Sequence, residues 1–504
     1  MDYSSLIQSN LNNLAYFVPE LLLVGVIITL IIADLFLGKQ RSAWMSILAL
    51  AGCVVVLFAV IAQYDGGSRS LFSDMLVVDP FSLFFKLLFL ASTILVIFLS
   101  IGSIELAGRA VGEYFVLLLI LMLGMFFMAS ATNIVTIFIS IEMVSIVSFV
   151  LAAYLKTRRR SSEAGLKYAI YGAFSSGLML YGISILYGLT GTFNIYEIGA
   201  ILAKQETSGL ALTVSILLML GGFGYKIAAV PFHFWSPDVY EGAPTPVTAL
   251  LSVGPKAAGF AVLIRFFNVA LTEGNANGAV EWLAIHFVNW PQLLAVIAAA
   301  TMTLGNLLAI QQQNIKRLLA YSSIAHAGYA LMGVVVLTEQ GVFATLFYLA
   351  VYYIMNIGAF LIVIIFQDVV GSERIDDWKG LAWKAPVPAI IMGIFLFSLT
   401  GLPPTAGFIG KFYLFAAVIN KGSGFYWLAI VGLLNSVVAL YYYARILKTM
   451  FFDRLSENET TSLSISPYYL TLLIVLAVPT ILLGLYWAPL ADLTGYSVQF
   501  LRTL

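Results

Sequence analysis

Three lysines stand where long apolar runs are interrupted by proline. Lys226 precedes Pro231 in GGFGYKIAAVPFHFW, Lys411 follows Pro403 and Pro404 in GLPPTAGFIGKFYLF, and Lys256 follows Pro255 in LLSVGPKAAGF. A cation inside hydrocarbon costs roughly 2.5 to 3.5 kcal/mol on an insertion scale, so three cost about 8 to 10 kcal/mol. That is comparable to the net stability of an ordinary protein, about 5 to 15 kcal/mol. Proline removes a helical hydrogen bond and leaves carbonyls for water or side chains to satisfy. Charge beside a broken backbone calls for a polar cavity within the membrane, the setting of an ion or proton path. A desolvated amine binds its proton less tightly, which brings lysine chemistry toward neutral pH.

The elements that must carry these lysines are apolar stretches long enough to span a bilayer. About fourteen are expected, at roughly 17 to 36, 44 to 62, 78 to 102, 115 to 130, 133 to 156, 163 to 190, 209 to 237 (broken), 246 to 270, 290 to 310, 318 to 337, 341 to 366, 386 to 420 (broken), 424 to 450 and 466 to 492. At about 1.5 Å per residue, Glu142 lies roughly 14 Å into its helix, Lys256 roughly 15 Å, His326 roughly 12 Å, and Lys411 roughly 14 Å from its outer end. Half of a hydrocarbon core about 30 Å thick is reached by all four. Lys226 falls between the middle and the inner half, so the row points to conduction along the membrane plane as well as across it.

Composition agrees with an all-α polytopic membrane protein, because 61% of the 504 residues are hydrophobic and only 10% are charged, against roughly 25% charged in soluble domains. Net charge is zero and the basic loops are short, which gives nucleic-acid binding no support. The single Cys53 rules out internal disulfides and cysteine-ligated clusters. His233, His286 and His326 are scattered and no glycine-rich nucleotide fingerprint follows a strand, so no cofactor or metal is expected in this chain. No basic region precedes the first apolar run, so the first helix is expected to stay. Loop Lys and Arg gather on one side (among them Lys39, Arg158, Arg159, Arg160, Arg317, Arg374 and Arg454), with only Arg69, Lys204, Lys421 and Arg502 on the other. The positive-inside rule then puts both termini outside the cytoplasmic face.

No long polar linker divides the chain, so residues 1–504 read as one membrane domain. The longest hydrophilic gaps are at about 63 to 77, 191 to 208, 271 to 289 and 367 to 385. Within it LGMFFMASATNI (Leu123 to Ile134) and LGNLLAIQQQNI (Leu304 to Ile315) share LG, eight residues and NI. Each opens a five-helix block containing one broken helix with its lysine. Five is odd, so the second block must run upside down relative to the first, the inverted-repeat plan of transporters. The subdivision is about 1–114 for the N-terminal helices, 115–270 and 290–452 for the two repeats, and 466–492 for the last helix.

Other polar residues divide by position. Arg265 and Arg445 lie near helix ends and are expected to snorkel to the interface. Lys167, about 6 Å from the inner end of its helix, reads as functional, and His233 beside the helix break reads as a structural residue. The role of Lys86 is open. Glu142 and Lys226 could also be a buried structural ion pair, roughly neutral for stability.

KIAAVPFHFWSPDVYEGAPTPVTALLSVGPKAAGF, together with GLPPTAGFIGKF, closely resembles subunit N of the proton-pumping NADH:quinone oxidoreductase, respiratory complex I, the family equivalent to mitochondrial NADH dehydrogenase subunit 2. The resemblance covers essentially the full length, and PDVYEGAPTPV is closer to this subunit than to its antiporter-like sisters. It implies that Glu142 and Lys226 interact in a first half-channel, that Lys167 is the further lysine of the sixth helix, that Lys256 is the central connecting lysine and Lys411 that of the second half-channel. It further implies a proton-translocating subunit of a bacterial plasma-membrane complex whose other subunits hold NADH, FMN, iron–sulfur clusters and quinone. Protons would pass from Lys226 through Lys256 and His326 to Lys411. Pro255 departs from the family pattern and leaves the backbone at Lys256 open. The competing readings are a stand-alone or multisubunit sodium/proton antiporter and a structural scaffold.

Overall fold

The computed structural model describes residues 3–36, 41–64, 66–107, 109, 112–204, 208–273, 282–453 and 463–498. Lys39, Arg454 and Arg502, which entered the loop-charge argument, lie outside them. Among the described residues, thirteen helices are long and apolar enough to cross a membrane, and a shorter apolar helix joins them. In chain order the helices are α1 (Tyr3–Asn13), α2 (Val18–Phe36), α3 (Arg41–Ile61), α4 (Pro80–Gly102), α5 (Gly112–Ser130), α6 (Ile134–Ala152), α7 (Arg159–Thr190), α8 (Ile195–Lys204), α9 (Gly209–Ile227), α10 (Trp235–Gly242) and α11 (Thr245–Ala270). They continue as α12 (Trp290–Ile310), α13 (Ile315–Val335), α14 (Glu339–Val370), α15 (Leu381–Lys384), α16 (Pro386–Thr400), α17 (Ala406–Lys421), α18 (Tyr426–Phe451), α19 (Pro467–Leu485) and α20 (Ala488–Val498). Two of the expected hydrophilic gaps hold small antiparallel pairs: Arg69–Leu71 with Leu76–Val78, and Thr272–Glu273 with Leu283–Ala284. A third holds α8, which presents Ile195, Ile198 and Leu202 to the interior.

The two LG…NI segments occupy the same place in the two repeats. In each, asparagine is the N-cap of the following helix: Asn133 Oδ1 accepts from the Val135 amide, and Asn314 Oδ1 from the Lys316 and Arg317 amides. This is the usual way of satisfying the first free amides of a helix. Each asparagine also bridges to a segment after a 32-residue helix, Asn133 to Asn194 and Asn314 to Arg374. Both long helices stop at a glycine in the left-handed conformation, Gly191 (φ 71°) and Gly371 (φ 74°), which a side chain would disfavour. The sequence match is therefore a matched joint. A broken helix follows in each half, α9 and α10 in the first and α16 and α17 in the second.

Helix α11 is the axis, buried from Thr245 to Ala270 without an exposed residue. It continues through Pro255. The Leu251 carbonyl, which loses its helical donor to that proline, accepts instead from the Tyr240 hydroxyl at 3.4 Å.

Arg265 does not snorkel. It is fully buried and holds Asp79, the N-cap of α4, through two nitrogens at 2.7 and 3.0 Å, and the Ala129 carbonyl at 3.0 Å. Its partner lies 186 residues away, out of reach of any local pattern. Arg445, part-buried near the end of α18, donates to the Ile310 carbonyl at the end of α12 at 2.8 Å and to the Gln312 carbonyl just beyond it. Lys86 is paired with Glu20 of α2 at 2.6 Å, both buried. Removing one member of such a pair strands a charge at a cost of about 3 to 5 kcal/mol. Asp79→Ala is therefore expected to lower the thermal unfolding midpoint of the purified assembly and its yield, whereas Asp79→Leu with Arg265→Met recovers most of both. An unchanged midpoint in Asp79→Ala would show that the pair contributes no stability.

Candidate functional site

The first break begins one residue after α9, where Ala228 turns into the left-handed region (φ 57°). Residues 228–234, including Pro231, are non-helical, and α10 then starts at Trp235. Side chains satisfy the loosened backbone: the Trp235 indole donates to the Tyr225 carbonyl at 3.0 Å, and the Val230 amide donates to Thr301 of the second repeat at 3.0 Å. Lys226, in the last turn of α9, is 1% exposed. Its ammonium donates to Ser145 Oγ at 2.9 Å and approaches the Ile141 carbonyl at 3.5 Å. No ion pair joins it to Glu142 among the described residues. Glu142, half-buried, accepts from Ser176 of α7 instead. Ser145 stands one turn further along α6, so Lys226 reaches the right helix and takes a hydroxyl.

The second break spans residues 401–405, including Pro403 and Pro404, between α16 and α17. Gly401 (φ 90°) reverses the chain, and its amide donates back to the Phe397 and Ser398 carbonyls, both at 3.0 Å. Lys411 donates to the Thr400 carbonyl at the end of α16, 2.8 Å, and to Ser436 of α18, 3.3 Å. The lysine itself thus satisfies the end of the broken helix. The Tyr329 ring lies 4.3 Å from its nitrogen, a cation–π distance.

Between the breaks, Lys256 is 3% exposed and donates to Ser323 of α13 at 2.6 Å. It shares the wall of a cavity of about 10 Å³ with Ser92, Ser323, His326, Tyr348 and Tyr352, room for about one water. His326 contacts the Tyr348 hydroxyl through Nδ1 at 2.5 Å and the Tyr443 hydroxyl through Nε2 at 3.3 Å. Tyr329 closes the gap on the far side, its ring 5.9 Å from that of His326 and its hydroxyl accepting from Ser436 at 3.1 Å. Hydroxyls therefore surround each of the three groups: Ser323 at Lys256, Tyr348 and Tyr443 at His326, and Ser436 at Lys411. The sequence reading does not include these hydroxyls, although their signal is in the spacing: Ser322, Ser323, His326 and Tyr329 lie on adjoining faces of α13, and Tyr348 and Tyr352 are one turn apart on α14.

Lys167 stands apart. It is 39% exposed and ion-paired with Glu163 at 2.8 Å and Asp238 at 2.7 Å. Arg160, Glu241 and Arg317 complete the rim of a cavity of about 170 Å³ there. His233 is buried against Phe234, and its Nδ1 has no hydrogen-bond partner among the described residues. Among the described residues no three His, Cys, Asp or Glu side chains gather as a metal site.

A nearly all-helical bundle with two matched blocks, each broken beside a buried lysine, defines the class of antiporter-like integral membrane proteins. Residues 131–439 match the family model described as NADH:quinone oxidoreductase/Mrp antiporter, transmembrane. NADH-quinone oxidoreductase subunit N 2 of Chloroherpeton thalassium is 47% identical over 488 residues, covering 96% of this chain and 94% of that protein. A chain of respiratory complex I from Thermus thermophilus superposes with a TM-score of 0.77 at 29% identity, covering 95% of this chain and 99% of that one. A chain of the Mrp complex from Dietzia sp. DQ12-45-1b shares the fold, with a TM-score of 0.81 at 21% identity over 96% of this chain and 97% of that one. The chain belongs to the NADH-quinone oxidoreductase subunit N family.

Proposed function

We propose that this chain is the antiporter-like, proton-translocating membrane subunit of an NADH:quinone oxidoreductase of the respiratory complex I type. One contrast carries the reading. The buried cations Lys86, Arg265 and Lys316 each face a carboxylate, Glu20, Asp79 and Glu373. Among the described residues Lys226, Lys256 and Lys411 hydrogen-bond only to hydroxyls and carbonyls and pair with no carboxylate. A carboxylate fixes a buried ammonium in its charged form, whereas a hydroxyl serves the neutral amine equally well, as donor or acceptor. The three unpaired lysines are thus free to exchange protons. Glu142, one turn from Ser145, biases Lys226 by its charge, and the proton passes by Lys256, the hydroxyls around His326 and on to Lys411. Other subunits hold NADH, FMN, iron–sulfur clusters and quinone and supply the driving force. Both termini lie on the non-cytoplasmic side of a bacterial plasma membrane.

Two measurements separate this from a stand-alone antiporter, and a Lys226→Ala, Lys411→Ala double variant that assembles but no longer pumps separates it from a scaffold. The complex containing this chain, in sealed vesicles, is expected to acidify the lumen on NADH addition at the same rate with or without sodium, and the purified chain alone in liposomes to exchange no ions. Sodium/proton exchange by the isolated chain would overturn the reading.

A further inference from the structure

Half-helix α10 carries two acids one turn apart, and each is shared between the two repeats. Asp238 takes Lys167 of α7 on one oxygen at 2.7 Å and Arg317 of α13 on the other at 2.6 Å. Glu241 divides in the same way between Arg160 of α7 at 3.5 Å and Arg317 at 2.8 Å. Lys316, beside Arg317 and buried, donates to the Ala243 carbonyl where α10 ends, 2.8 Å. The rest of α10 faces the lysine row. Trp235 caps the Tyr225 carbonyl next to Lys226, and the Tyr240 ring lies 5.7 Å from the Lys256 nitrogen while its hydroxyl holds the Leu251 carbonyl.

Arg160 and Lys167 belong to the same repeat as α10 and cannot tie the halves together. Arg317 does, and one of its terminal nitrogens serves both acids. At 27% exposed, it is partly shielded from the screening that weakens surface pairs. We infer that Arg317 is a positioning residue for proton transfer: from the second repeat it holds the half-helix of the first in place, and through Tyr240 it sets the surroundings of Lys256. The inference rests on Lys256 being a relay group, so its test needs one readout that does not depend on protons.

Arg317→Gln and Arg317→Lys are compared in the intact complex, with complex content set by NADH oxidation to an artificial acceptor. In Arg317→Gln, the amides of residues 235–245 are expected to exchange with deuterium about tenfold faster and pumping to fall about tenfold, the size of a coupling lost between contacting groups. Arg317→Lys recovers part of both, since an ammonium supplies charge without the guanidinium fork. Unchanged exchange, or no recovery with lysine, overturns the positioning role whatever pumping does. Faster exchange with wild-type pumping leaves the tie standing and overturns its role in proton transfer, while the relay reading of Lys256 stands or falls separately with Lys256→Arg.

Discussion

Lys256→Arg is expected to stop proton pumping as completely as Lys256→Ala. Arginine keeps the positive charge and can still donate to Ser323, but its guanidinium holds the proton too tightly to release it at working pH. If Lys256 must pass a proton on, the loss is on the order of a hundredfold or more, the usual value of a positioned proton donor or acceptor. Quinone-coupled acidification of vesicles reads the effect, and NADH oxidation by an artificial acceptor reports intact assembly. Pumping at the wild-type rate in Lys256→Arg would make the residue a static charge and remove it from the path.

The second large effect is expected from a residue with no polar side chain. Gly401 ends α16 at φ 90°, and a Cβ there would come within 2.8 Å of Lys411 Cδ. Gly401→Val combines a backbone strain of order 1 to 3 kcal/mol with displacement of the lysine from the Thr400 carbonyl. Pumping should fall on the order of a hundredfold, as for loss of the proton-transfer group itself, although every ionisable residue is still present. Full activity in Gly401→Val would show that the geometry of the break is immaterial to Lys411.

The sequence was most legible where physics acts locally. Hydropathy marks the spans, proline and glycine mark both breaks, and the cost of burying charge singles out Lys226, Lys256 and Lys411. The paired LG…NI segments mark a joint because asparagine caps are local devices. Partners across the bundle were not legible. Lys226 and Ser145 are 81 residues apart, Lys167 and Asp238 are 71, and Arg265 and Asp79 are 186. Spacing along one helix says which residues share a face and nothing about the face opposite. Depth alone places Arg265 at the interface, because its carboxylate partner stands 186 residues earlier and leaves no local mark. Glu142 and Lys226 were brought to neighbouring turns, yet the contact went to serine, because a one-turn offset between packed helices is invisible to periodicity.

The lysine that holds the end of α16 has a consequence for how often the helix must be remade. An ammonium offers three N–H groups, and in Lys411 two are engaged, by the Thr400 carbonyl and by Ser436. The neutral amine retains two. Losing the proton from the third position, on the side of the Tyr329 ring, leaves both engagements available, so the broken end remains capped in either protonation state. The scaffold can then stand still while its charge turns over, and the work of each cycle falls on the proton and not on the rebuilding of backbone hydrogen bonds.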